Sequence, residues 1–361
     1  MTVSCPPCFS ATGSHHWRYS IGRSKTMKYR TFGKTGLNVS QLALGTGNFG
    51  TGWGYGADPV ASKAIFNAYA EAGGNFIDTA DIYQFGQSEE LLGTLLEGRR
   101  DDFVLATKFT NGASANPGRL AIGNNRKAMV SSVEASLKRL KTDRIDIYWA
   151  HHPDAVTPIE EIVRGFEDLA RAGKILYAGL SNFPAWRLAR AVTLAEISRA
   201  LPIAAAQFEH SLVHREPEAD LFQASYALGL GVVTWSPLGG GMLTGKYRKG
   251  ESGRAEGFGG KVFQPENSAQ RTRILDTVLE VAGELGVSAG QVAIAWAGSH
   301  GAVPIIGPRS HEQIADNLGA LSLTLTDEQI QRLDAVSSLD PSAGPRSAAD
   351  WSDETRARGV A

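Results

Sequence analysis

Four residues of this 361-residue chain could together move a proton: Asp78, Tyr83, Lys108 and His151. A lysine cation beside a phenol stabilises the phenolate and lowers the tyrosine pKa from about 10. An aspartate beside that lysine keeps it charged and oriented. A tyrosine tuned this way can give a proton to a carbonyl oxygen near neutral pH, and an imidazole close by can hydrogen-bond the same oxygen and orient the substrate. Singly, each residue has an ordinary explanation: an Asp capping a loop, a Tyr at a rim, a Lys in a structural ion pair. Their shared placement says more, because Asp78, Lys108 and His151 each close an apolar run and Tyr83 follows Asp78 on its loop.

Those runs are the elements that must position them. From Met27 onward, short apolar segments alternate with amphipathic ones. Strands are expected at 41–46, 75–80, 103–108, 145–150, 175–181, 203–209, 231–237 and 302–306. Helices are expected at 58–72, 88–97, 124–140, 158–172, 184–199, 216–228, 268–285 and 311–320. In the third of these, Val130, Val133, Leu137 and Leu140 fall on one stripe. The strands are continuous apolar runs rather than alternating ones, as a buried parallel sheet requires. Eight such units predict an α/β fold, a single (β/α)8 TIM barrel. Met27–Arg30 and Leu37–Val39 read as an N-terminal β-hairpin. Two extra helices read as insertions, Ala289–Ala297 before the last strand and Thr326–Val336 after the last barrel helix. In such a barrel the active site lies at the C-terminal ends of the strands, where the four residues stand.

Other chemistries are excluded by composition and spacing. The net charge of −1 offers no positive face for nucleic acid or an anionic membrane. No apolar run approaches the roughly 18 residues of a spanning helix, so no membrane partner and a cytoplasmic location are expected. Gly45-Thr-Gly47-Asn-Phe-Gly50 matches the dinucleotide fingerprint, but that motif needs a helix opening at its third glycine. Thr51 to Pro59 intervenes, so the segment reads as a flexible loop at the barrel mouth. No G-x-S-x-G elbow is present. His210 and His214 lack the H-E-x-x-H pattern, Cys5 and Cys8 have no second pair, and His15 and His16 have no fold around them, so no metal is expected. Residues 1–26 carry no acidic residue and no period and are expected to be a disordered extension. The folded barrel is expected over 27–340, and 341–361 reads as a polar tail.

The segments Phe-Ile-Asp78-Thr-Ala-Asp-Ile-Tyr83, Ala-Thr-Lys108-Phe and Asp-Ile-Tyr-Trp-Ala-His151 resemble the catalytic tetrad segments of the aldo-keto reductases. The resemblance continues in Gly179-Leu-Ser181-Asn182-Phe, in Gln207-Phe-Glu-His-Ser-Leu, and in Trp235-Ser-Pro-Leu-Gly-Gly-Gly-Met-Leu-Thr-Gly-Lys246. It extends to Ile306-Gly-Pro-Arg309-Ser-His-Glu-Gln313-Ile-Ala-Asp-Asn317 and covers Met27 to about Val336. It implies an NADPH-dependent reduction of an aldehyde or ketone, reversible, with Tyr83 as the acid and NADH a weaker cofactor. Ser181, Asn182 and Gln207 would hold the carboxamide, and Trp235 would stack on the nicotinamide. Ser236, Leu238, Gly240 and Lys246 would lie along the pyrophosphate. Gly307, Arg309, Gln313 and Asn317 would take the adenosine half, and Thr46 would also touch the cofactor. His210 stands where many relatives have Tyr, with little expected effect. One alternative within the same fold is a redox-sensing regulatory subunit with little turnover; another is a phosphosugar enzyme, which would need phosphate contacts in the last two loops.

Phe49, Trp53, Tyr55, Phe85 and Phe109, with Leu120 and Trp351 nearby, would wall a pocket suited to an apolar or ring-shaped carbonyl compound. A monomer or weak oligomer is expected. The family-like opening from Arg30 supports Met27 as the expected natural start. A chain beginning at Met27 should therefore melt at the same temperature, and be as active, as the full one; a loss of several degrees would show that the first 26 residues pack on the barrel.

Overall fold

Phe76, Ile77, Leu105, Ile147 and Val233 are too apolar to leave in water, and the chain buries them by closing its strands on one another. The computed structural model describes residues 27–249 and 263–339; the expectations on the first 26 residues and on Trp351 lie outside them. Eight parallel strands form the closed barrel: β3 (Ala43–Gly45), β4 (Phe76–Asp78), β5 (Val104–Phe109), β6 (Ile145–Ala150), β7 (Ile175–Ser181), β8 (Ile203–Glu209), β9 (Gly231–Trp235) and β10 (Val303–Ile306). β10 returns to the first barrel strand, with Ile305 paired to Ala43. The preceding hairpin, β1 (Tyr29–Thr31) and β2 (Asn38–Ser40), pairs Arg30 with Val39. Its turn carries Phe32, which packs edge-on against Phe76 at 5.6 Å and joins the interior core with Ile147, Trp149 and Val233.

Alternate residues of β6 show the two sides of the wall. Ile147 and Trp149 belong to the interior, while Tyr148 and Ala150 pack with the surrounding helices. Those helices are α1 (Pro59–Glu71), α2 (Gln87–Leu95), α3 (Arg126–Leu140), α4 (Ile159–Arg171), α5 (Ala185–Ser198) and α6 (Leu221–Leu228). They are followed by α7 (Ala269–Leu285), α8 (Ala289–Ser299), α9 (His311–Gly319) and α10 (Asp327–Ser337). Many starts are fixed by side-chain caps: Asp58, Asn125, Ser268, Ser288, Ser310 and Thr326 each accept a backbone N–H of the first turn. The helix expected over 216–228 splits, because Asp220 at φ −143° breaks a short turn (Glu216–Ala219) from α6.

One assignment changes. The insertion expected at Ala289–Ala297 is α8, which packs on β10 and α9 as a barrel helix. The outer layer is instead α7 with α10. The reason is apolarity on all sides: Val292, Ile294, Trp296 and Ala297 of α8 are all buried, so this helix sits between the barrel and α7. Among the described residues no single helix is long and apolar enough to cross a membrane; α7 and α8 reach that composition only as a pair bent by 102°.

A polar joint ties the outer layer down. Glu218 receives the Nε2–H of His210 at 2.7 Å and both arms of Arg215 at 2.8 and 2.7 Å. Arg215 also donates to the Asp334 carbonyl and the Ser337 hydroxyl on α10. His210 stacks on Trp296 at 5.0 Å. His210, expected to matter little, is thus a bridge between β8 and the outer helices. His210, Glu218 and His300 hold possible ligand atoms within 4.8 Å of one another, but the guanidinium of Arg215 already occupies both oxygens of Glu218.

Candidate active site

Parallel pairing puts the ends of β4, β5 and β6 side by side, with Asp78 opposite Ala106 and Lys108 opposite Trp149. Asp78 closes β4, Lys108 lies near the end of β5, and His151 follows β6 directly. Tyr83 opens a tight turn (Tyr83–Gly86) five residues after Asp78. The four residues converge. Lys108 is 0 % exposed, and its ammonium forms an ion pair with Asp78. It donates to the Thr79 carbonyl at 2.8 Å and to the Tyr83 hydroxyl at 3.2 Å, so three partners use its three N–H groups. Burial pulls the Lys108 pKa down, yet the carboxylate of Asp78 and the phenol of Tyr83 outweigh it and push the pKa above the ordinary lysine value. The other Asp78 oxygen accepts from Gln207 Nε2 at 2.9 Å.

His151 stands edge-on to Tyr83 with ring centroids 5.9 Å apart. Burial, the adjacent His152 and the Lys108 cation hold its pKa well below the usual imidazole range, so it is neutral at pH 7. Asn111 Nδ2 lies 3.3 Å from His151 Nδ1; an amide N–H given to Nδ1 leaves the ring proton on Nε2.

The expected nicotinamide residues also meet here. Ser181 and Gln207 pair across β7 and β8. Asn182, at φ 60°, accepts the Trp235 indole N–H at 3.0 Å and donates to the His151 carbonyl at 2.9 Å. Further round the mouth, Ser236 accepts the Gly240 N–H at 3.0 Å in a turn where Ser236, Gly239, Gly240 and Gly241 all have positive φ. Leu238 is half-buried in this turn, and Lys246 lies over the Tyr247 ring at 5.2 Å. At the start of α9, Gln313 accepts the Arg309 N–H at 2.8 Å, and the Arg309 guanidinium makes no hydrogen bond or ion pair with a described residue. Gly307 is exposed, its carbonyl bonded to Asn48 Nδ2, and Asn317 is buried on α9.

Thr46, directly after β3, is wholly buried, its hydroxyl bonded to the Asp78 carbonyl and to Ser88. Two expected side chains are not at the mouth. Phe49 is buried in the core between barrel and helices, where the loop bridges back to Ala57. Phe109 points outward and stacks on Tyr148 at 5.0 Å. Next to Lys108, alternation of side chains along β5 forces it to the opposite face. The pocket aromatics that do assemble are Trp53, 6.1 Å from Tyr83, with Phe85 and Tyr55 at 6.3 and 6.0 Å from Trp53.

Residues 41–338 match the model described as the Aldo/keto reductase family. The chain belongs to this family. An uncharacterized oxidoreductase of Bacillus subtilis (strain 168), YrpG, is 36% identical over 322 residues, which is 86% of this chain and 96% of that protein. A protein of Oryza sativa subsp. japonica named as a probable voltage-gated potassium channel subunit beta is 36% identical over 87% of this chain and 98% of its own length. Norsolorinic acid reductase of Aspergillus flavus is 33% identical over 84% and 79%. This aldo/keto reductase is an NAD(P)H-dependent oxidoreductase of carbonyl compounds.

Asn111 and His152, outside the quoted motifs, lie against His151 of this aldo/keto reductase, Asp81 bonds the Lys108 carbonyl through its backbone N–H, and Glu89 accepts the hydroxyl of Thr107 next to Lys108. His152 stacks under His151 at 4.3 Å. Asp81, between Asp78 and Tyr83, is fully buried, its carboxyl without a well-formed hydrogen bond. Burial first, then the Glu89 carboxylate, raises its pKa from 3.8 to about 7, against the pull of Arg139. A raised carboxyl pKa means the folded protein keeps a proton that the unfolded chain has lost. Its stabilising contribution is complete below pH 3.8 and vanishes as pH rises to about 7. Asp81→Asn should therefore gain on the wild type across that interval and be the more stable of the two above pH 7, in thermal melts run as a pH series. A difference independent of pH would rule this out.

Proposed function

We propose that this aldo/keto reductase reduces an aldehyde or ketone to its alcohol with NADPH, Tyr83 giving the proton. The observation that carries the reading is the Lys108 ammonium, bonded at once to Asp78, to the Thr79 carbonyl and, at 3.2 Å, to the Tyr83 hydroxyl. A cation at that distance favours the form of Tyr83 that has released its proton. The Asp78 carboxylate keeps the cation in place. Neutral His151, with its proton on Nε2, can donate a hydrogen bond to the same carbonyl oxygen and hold the substrate beside the phenol.

The mouth fits a dinucleotide on its own chemistry. Trp235 is fixed by its bond to Asn182, so its ring can support a planar heterocycle. Ser181, Asn182 and Gln207 offer amide and hydroxyl groups for a carboxamide. The left-handed turn at Ser236–Gly241, with Lys246 beside it, is the kind of backbone that receives phosphate. Bound there, a reduced nicotinamide supplies hydride to the carbonyl carbon. Arg309 and the amino-terminal end of α9 suit the extra 2′-phosphate of NADPH.

The likeness to the rice channel subunit supports a second reading, a redox-sensing regulatory subunit of the same fold with little turnover. Steady-state reduction of a generic aldehyde, followed by NADPH absorbance, separates the two.

Tyr83→Phe keeps the ring and removes the proton. Turnover should fall roughly 10²- to 10⁴-fold with cofactor affinity nearly unchanged, and Lys108→Met should be similarly damaging. Wild-type turnover in Tyr83→Phe would sink the mechanism. For the cofactor, one charge-assisted contact is worth roughly a 10- to 150-fold change in affinity. Arg309→Ala should weaken NADPH by about that factor and leave NADH almost untouched in fluorescence titrations. Equal losses for both would mean that Arg309 does not read the phosphate.

A further inference from the structure

The glycine-rich segment after β3 is not the flexible loop its sequence suggests. Two glutamines just beyond Tyr83 hold its backbone. Gln84, fully buried, accepts the Trp53 N–H on Oε1 at 2.9 Å and donates from Nε2 to the Gly47 carbonyl at 3.0 Å. Gln87, at the start of α2, accepts the N–H groups of Thr51 and Gly52 on one oxygen, at 2.9 and 3.1 Å. The segment also bonds itself, Gly50 N–H to the Ala57 carbonyl and Ala57 N–H to the Asn48 carbonyl. Its glycines are what let it approach: a Cβ on Gly52 would lie 2.5 Å from the Gln84 carbonyl oxygen, and one on Gly56 would lie 2.0 Å from that of Gly50. On the other side, Gln84 and Phe85 both hold left-handed backbone, φ 52° and 56°, a conformation that costs a non-glycine residue and persists only where its surroundings fix it. The two side-chain bonds of Gln84 supply that fixing.

We propose that Gln84 and Gln87 are positioning residues that lock this segment, and with it Trp53, into a preformed aromatic wall beside Tyr83, so that the site selects flat, ring-bearing carbonyl compounds over small aliphatic ones. The inference rests on Tyr83 being the acid. Trp53 stands edge-on to both Tyr83 and Phe85 and contacts Tyr55. A wall fixed before binding spares the substrate the ordering of a loop, and that saving goes to the substrate whose ring fills the space. The two glutamines act through different atoms. Gln87 uses only an acceptor, which a glutamate also has. Gln84 uses an acceptor and a donor, and a glutamate there would face the Gly47 carbonyl with a second oxygen.

The test uses the full chain, with 2-naphthaldehyde and propanal as substrates and NADPH as the reductant. Amide hydrogen exchange over Gly47–Ala57 is read alongside. Gln87→Met should lower the ratio of kcat/KM for naphthaldehyde over propanal by roughly five- to thirty-fold, from the loss of two hydrogen bonds. It should also speed exchange at Thr51 and Gly52, while propanal turnover changes little. Gln87→Glu should restore both readouts; Gln84→Met and Gln84→Glu should both fail to match the wild type. An unchanged ratio in Gln87→Met overturns the assignment of selectivity. Unchanged exchange overturns the lock itself, and this readout holds even if the wild type reduces neither aldehyde, a result that would count against the carbonyl reading instead.

Discussion

A lysine ammonium with no access to water governs the mouth of this barrel. Removing such a charge from solvent costs several kcal/mol unless it is paired and hydrogen-bonded on every side. Lys108 meets that demand with Asp78, the Thr79 carbonyl and the Tyr83 hydroxyl. Each partner is then constrained in turn. Asp78 is also gripped by Gln207 from across the barrel, Thr79 by Ser88 of α2, and Tyr83 by the left-handed turn that follows it. The satisfaction of one buried cation thus fixes the relative positions of β4, β5, β8 and α2. The group proposed to act on substrate is the one partner that is itself partly open to the mouth.

The same economy explains the neutral imidazole. Burial disfavours a second charge beside Lys108, and the neighbouring His152 and the Lys108 cation repel it further. His151 is therefore a hydrogen-bonding group rather than a charged one. Asn111 on one side and the backbone link through Asn182 on the other hold it in a single pose. Cofactor and substrate faces share a support here, because Asn182 also receives the Trp235 indole N–H.

Much of this was legible in the residues. Strand ends are signalled by apolar runs that stop at a polar residue, and Asp78, Lys108 and His151 are such stops. Barrel topology follows from counting the runs. What sequence could not supply was the direction of side chains in loops and the depth of neighbours. Phe49 and Phe109 have the chemistry of pocket residues but face the core between barrel and helices, and only the register of β5 and the bridge at Ala57 decide that. Asp81 and Glu89 are both buried, a depth that no pattern of the surrounding residues signals. The outer layer is hard to assign from sequence because α7 has the amphipathic stripe of a barrel helix, whereas α8, apolar all round, looks like an insertion until α7 covers it.

The closure of the ring by β10 against β3 has a temporal meaning. Asn48, near the beginning of the folded region, bonds the carbonyl of Gly307, near its end. Until the last strand has been synthesised, β3 and β9 present raw edges, the kind of unpaired backbone that invites association with other chains. Asn48 likewise lacks the partner it finds in the Gly307 carbonyl. On a ribosome, then, the strands that carry Asp78, Lys108 and His151 emerge well before the ring can close, and the mouth is complete only once β10 and the loop after it have left the exit tunnel.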